Sequence, residues 1–171
     1  MEQLTALVAA LARVAEPWRE LFDRSRGVSI AVTFVHLAAL VVAGGLALSA
    51  DRATLAAARD PGRRAGQLAA LGAAHRTVGI GLAGVLASGV LLALADVETF
   101  ATSPIFWGKM TLVALLLANG LRMQRAGRTL AADPTPEDGG ALGWRRLRAC
   151  AVASGALWFA VILLGTALAE W

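Results

Sequence analysis

Residues 28–50, VSIAVTFVHLAALVVAGGLALSA, contain no Asp, Glu, Lys or Arg across 23 positions. At 1.5 Å per residue such a run makes a helix of about 34 Å, enough to cross a hydrocarbon core of roughly 30 Å. Inside that core every backbone N–H and C=O needs a partner within its own segment, so the run must be helical. A β-barrel strand would alternate polar and apolar side chains, whereas this stretch is continuously apolar.

Reading outward, three more stretches have the same character: residues 77–95, 104–121 and 149–169. The sequence therefore predicts an all-α integral membrane four-helix bundle occupying residues 28–171. The apolar share is 57 % and the mean hydropathy is +0.63, both above what soluble domains carry. Residues 1–27 differ. Leu4, Leu7, Val8, Leu11, Val14, Trp18 and Phe22 recur at helical spacing, with Glu2, Arg13, Glu16 and Glu20 on other faces. This pattern predicts an amphipathic interfacial helix lying on the membrane, kinked or restarted at Pro17, which has no amide proton to donate. The opening lacks the basic start and small-residue cleavage site of a removable signal, so the N-terminus is expected to stay on the mature protein.

The net charge of +4 does not form a basic stripe, and the arginines fall at the ends of apolar runs. That placement points to lipid headgroups and to no nucleic-acid partner. The connection after the first span carries Arg52, Arg59, Arg63, Arg64 and Arg76. The one after the third carries Arg122, Arg125, Arg128, Arg145, Arg146 and Arg148, together with the loop-like run Asp133-Pro134-Thr135-Pro136-Glu137-Asp138-Gly139-Gly140. Asp96, Glu98 and Glu170 mark the opposite face. The positive-inside rule makes the basic face cytoplasmic and puts both termini outside a bacterial inner membrane.

Ionisable groups within a spanning helix are costly to bury and are functional candidates by default. His36 lies deepest, and Lys109 enters from the same face, so the two are expected to share a layer with Thr33 and, deeper, Asn119. His36 reads either as an axial ligand to haem iron or as a neutral histidine hydrogen-bonded across a helix interface. Lys109 would hold a propionate, carry a proton or supply a second ligand; otherwise it snorkels to the outer interface. His75 and Arg76 stand about 30 Å from the far end of the second span, too distant for His75 to share a haem with His36, and read as anchors at the cytoplasmic edge. Gly79, Gly81, Gly84, Ser88 and Gly89, like Gly44 and Gly45 in the first span, mean close helix packing or room for a flat macrocycle. Trp144 and Trp171 read as interface anchors, Trp107 and Trp158 as pocket lining. The only cysteine, Cys150, excludes an internal disulfide and reads as a small core residue. No phosphate loop, zinc-spaced cluster or serine triad is present.

Ser103-Pro104-Ile105-Phe106-Trp107-Gly108-Lys109-Met110, following Asp96-Val97-Glu98-Thr99-Phe100 and leading to Asn119, resembles the third helix of uncharacterised bacterial four-helix membrane families. His36 followed by Gly44-Gly45 is similar to the membrane-bound protoporphyrinogen oxidase family HemJ and, more distantly, to the copper-resistance family CopD. The HemJ resemblance implies haem binding, with His36 and Lys109 at the places of that family's first-helix histidine and third-helix lysine. These readings lead to an expected haem b-binding protein of electron transfer or a membrane redox reaction, a possible oxidoreductase. Its site would be Lys109 with His36, Thr33, Trp107 and Asn119, and His36 would ligate the iron. The rival expectations are a non-catalytic subunit docked to other membrane subunits or to copies of itself, and a channel or carrier for a small solute or proton.

Overall fold

The structure, a computed structural model, describes residues 2–132 and 140–169. Met1, Glu170, Trp171 and residues 133–139 of the last loop lie outside the described residues, as do the side chains of Glu2, Leu4, Thr5 and Ala169. The elements are α1 (Glu2–Arg24), α2 (Arg26–Arg59), a 3₁₀ turn (Pro61–Arg63), α3 (Arg64–Ala95), α4 (Val97–Thr102), α5 (Pro104–Ala132) and α6 (Ala141–Ala169). Of these, α2, α3 with its preceding turn, α5 and α6 are long and apolar enough to cross a membrane.

Short polar side chains set the breaks. The Ser25 hydroxyl accepts from Val28 N at 3.4 Å and starts α2. Asp60 stops it: its carboxylate accepts from Gly62 N at 3.0 Å and from Arg63 Nε at 3.1 Å, folding Pro61–Arg63 into the tight turn before α3. Asp96 accepts from Thr99 N to open α4, and Ser103 from Phe106 N to open α5, where Pro104 fills a first-turn position that has no use for an amide. Each such cap stabilises its helix by about 1 kcal/mol.

The helices outrun the apolar stretches at the basic end. The connections expected over residues 51–76 and 122–148 are helical through most of their length: α2 continues to Arg59, α3 already begins at Arg64, α5 reaches Ala132 and α6 starts at Ala141. The reason is composition. Residues 51–59 hold four Ala, two Arg and one Leu, all good helix formers, and no breaker comes before Asp60-Pro61-Gly62. α2 is consequently about 51 Å long, some 20 Å more than a hydrocarbon core requires. α3 likewise runs through Gln67–Ala74, ahead of the apolar stretch that begins at residue 77.

α2 packs on α3, α3 on α5, α5 on α6, and α6 returns to α2, so the four long helices stand up-down-up-down around a square. Two apolar clusters fill its axis. One, mid-bundle, has Ala43, Leu116 and Trp158 at its centre. The other, at the basic end, consists of Ala57, Leu71, Met123, Trp144, Leu147 and Ala151, with the Arg64 guanidinium 5.2 Å above the Trp144 ring. The outside of the square carries large apolar side chains: Ile30, Phe34, Val41, Ile80, Phe159 and Leu163 are each about two-thirds exposed. A surface of that kind needs lipid against it.

α1 runs unbroken through Pro17. The missing amide costs the helix one bond, to the Arg13 carbonyl, without ending it, because the helix is held from outside itself. α1 packs on α2, α3 and α4, Ala15 is buried against them, and the Trp18 indole donates to Leu91 O at 2.8 Å. Its apolar residues therefore serve two faces. Val8, Trp18 and Phe22 are half-buried, whereas Leu7, Leu11 and Val14 stay exposed.

Candidate functional site

The interior stripe of α2 follows from helical spacing: His36, the Ala43-Gly44 pair, Asp51, Thr54 and Ala57 recur at steps of three or seven residues and face the neighbouring helices. It carries two polar layers. Fifteen residues separate His36 from Asp51, about 22 Å along the axis.

The layer nearer the acidic end holds His36. Its Nδ1 lies 3.0 Å from Ser88 Oγ on α3, and that hydroxyl places its own proton on Gly84 O at 2.6 Å. The serine oxygen is then the acceptor and His36 Nδ1–H the donor, which leaves Nε2 with a free lone pair. Lys109 acts on His36 through its charge. Its ammonium reaches α6, where a Cβ on Gly165 would lie 3.4 Å from Nζ. It makes no hydrogen bond or ion pair among the described residues.

The other members expected at this site stand elsewhere. Thr33 is exposed on the outside of α2, because a position three residues before His36 is turned about 60° from it and already clears the α2–α3 seam. Trp107 is also outside, 57 % exposed, with its indole donating to Ala101 O at 3.0 Å. Asn119 belongs to the other layer.

Whether a haem fits beside His36 can be judged from the small-residue surface of α3. α2 occupies part of it, while the Gly79 position stays open. A Cβ on Gly81 would meet Ala43 Cβ at 2.8 Å, one on Gly84 would meet Ala39 Cβ at 3.4 Å, and one on Gly89 would meet the His36 ring at 3.3 Å. These glycines let the two backbones approach, and between α2 and α3 at Gly81, Gly84 and Gly89 there is no slot for a macrocycle. The His36 ring is hydrogen-bonded across the α2–α3 interface to Ser88.

The layer toward the basic end was not singled out from the sequence. Asp51 is 95 % buried, its relative exposure being 5 %, and its Oδ2 has no hydrogen-bond partner. It faces Ser154 on α6. Both line a cavity of about 70 Å³ on the bundle axis to which α2, α3, α5 and α6 all contribute, including His75 and Asn119. His75 therefore points inward, in contrast to the anchoring role expected of it, while Arg76 is exposed. His75 Nδ1 donates to Leu71 O at 2.7 Å, so the unprotonated nitrogen of the neutral ring is Nε2. Asn119 Nδ2 donates to Cys150 O at 2.9 Å, tying α5 to α6 and leaving Oδ1 to accept. Alongside, Gln67 Nε2 donates to Thr54 Oγ1 at 2.9 Å and to Ala50 O at 3.3 Å, closing the α2–α3 side.

No arginine or lysine lines this cavity. The basic-end cluster, with Leu71, Met123 and Trp144, covers it on one side, and the mid-bundle cluster, where Trp158 lies over Gly44, covers it on the other. One signal in the sequence marks it. Asp51 prolongs the Ala43–Ala47 stripe by one more turn, and nothing between Ala50 and Asp60 would end the helix. Compared with protein-family models, curated proteins and solved structures, the chain matches none. The likeness to the HemJ and CopD families accordingly rests on the residues quoted above.

Proposed function

We propose that this protein is a membrane carrier for a proton or small cation, with Asp51 as its binding carboxylate. The observation that carries the reading is the buried Asp51 oxygen without a partner, facing an axial cavity that has no counter-charge. A carboxylate held this way costs several kcal/mol unless it bears a proton or a cation. Its neighbours suit either. Asn119 Oδ1 and Ser154 Oγ are hard oxygen acceptors, His75 Nε2 is a base, and the cavity has room for bridging water.

The mid-bundle cluster separates this layer from His36 and Lys109. The passage is then one of alternating access, in which the Trp158 plug must move, and not a standing wet pore. In this reading the arginine-rich end is cytoplasmic and the membrane is a bacterial inner membrane.

The test uses the purified protein in sealed vesicles with a trapped pH-sensitive dye and an imposed potassium diffusion potential, with parallel vesicles loaded for sodium uptake. Wild-type protein should dissipate the gradient or take up sodium. Asp51→Asn should abolish the flux, and replacement of the exposed acid Asp96 by Asn should leave it intact. Vesicles holding wild-type and Asp51→Asn protein that are equally tight to both ions would refute the proposal.

A further inference from the structure

We infer that the groove between α5 and α6 at the basic end binds the phosphate headgroup of an anionic phospholipid. The groove measures about 580 Å³, and Arg122 and Arg125 of α5 and Arg146 of α6 line it together with Thr129, over an apolar floor that includes Leu130 and Ala149. The three guanidiniums are exposed, and none makes a hydrogen bond or ion pair among the described residues. Three cations gathered on one concave surface, with no carboxylate among the described residues that line it, form an anion site, and the planar guanidinium fork matches phosphate oxygens.

Depth selects the ligand. Arg122 directly follows the apolar stretch that ends at Leu121, and Ala149 opens the last one, so the mouth of the groove lies where hydrocarbon gives way to headgroups. Seven residues before Arg122, two turns down the same face, Leu115 is 51 % exposed and offers acyl chains a surface directly beneath the arginines. From Arg122 to Leu130 the groove rises about 12 Å, which accommodates a headgroup larger than a single phosphate. The inference is independent of the carrier reading, because it uses none of the residues around Asp51.

The experiment is native mass spectrometry of the delipidated, detergent-solubilised protein with added phosphatidylglycerol, phosphatidylcholine or inorganic phosphate. Two triple variants that remove equal charge from the same end are compared with wild type. One is Arg122→Gln, Arg125→Gln, Arg146→Gln in the groove, and the other is Arg52→Gln, Arg59→Gln, Arg76→Gln outside it. Phosphatidylglycerol should be retained at least tenfold better than phosphatidylcholine. That preference should fall about tenfold in the groove variant and persist in the outer variant. Equal loss in both variants would show diffuse attraction and overturn the site, as would equal retention of the two lipids. Retention of inorganic phosphate without phosphatidylglycerol would overturn the lipid as its source.

Discussion

Adding one methyl group at two neighbouring glycines of α3 should have opposite effects. Gly79 has nothing within 4 Å of where its Cβ would be, whereas at Gly81 that atom would lie 2.8 Å from Ala43 Cβ and 3.3 Å from Ala43 Cα. Both positions are helix interior, so each Gly→Ala change gains about 1 kcal/mol of helix propensity. At Gly81 the α2–α3 pair must also part by roughly 1 Å to restore an ordinary carbon–carbon separation of about 3.5–4.0 Å. Overpacking of this kind costs about 1–3 kcal/mol. Because propensity cancels, the difference between the two variants isolates the steric cost, and Gly81→Ala should be less stable than Gly79→Ala by about 1–3 kcal/mol. Unfolding in mixed detergent micelles titrated with dodecyl sulfate, followed by far-UV circular dichroism, reads that difference. Ala43→Gly in the Gly81→Ala background removes the opposing methyl and should give a coupling energy of at least about 0.5 kcal/mol in the double-mutant cycle. If the two single variants unfold together, α2 does not occupy the glycine surface, and the packing described for His36 falls with it.

Trp158→Ala should lower stability by about 3–5 kcal/mol, the usual cost of deleting a buried indole, and should raise ion leak in the vesicle assay by opening the mid-bundle plug; unchanged leak in a folded variant would place the barrier elsewhere. Purified protein, oxidised and dithionite-reduced, should show no Soret band even when haem is supplied during expression. A Soret band that disappears in His36→Ala would reinstate haem ligation and require α2 and α3 to stand apart.

The sequence by itself determined the number of long apolar helices, because that is a local matter, but not where each one ends. A continuous apolar run in lipid can only be helical, and Asp60-Pro61-Gly62, Asp96 and Ser103-Pro104 carry their turn and cap chemistry in their own side chains. Rise per residue alone also gives His36 and Lys109 similar depths from the same face. Tertiary structure decided what each polar side chain faces. Thr33 and Trp107 pass the test of depth but lie on the outside of their helices, and His75 turns inward at a depth that suggested anchoring. Asp51 was hidden by its position at the end of an apolar run, where hydropathy sees only a boundary. The overshoot of α2 and the cluster around Trp144 and Leu147 carry the protein interior past that boundary. Hydropathy measures the thickness of the membrane, whereas burial depends on how far the helices stay packed together, and in this bundle they remain packed well beyond the lipid.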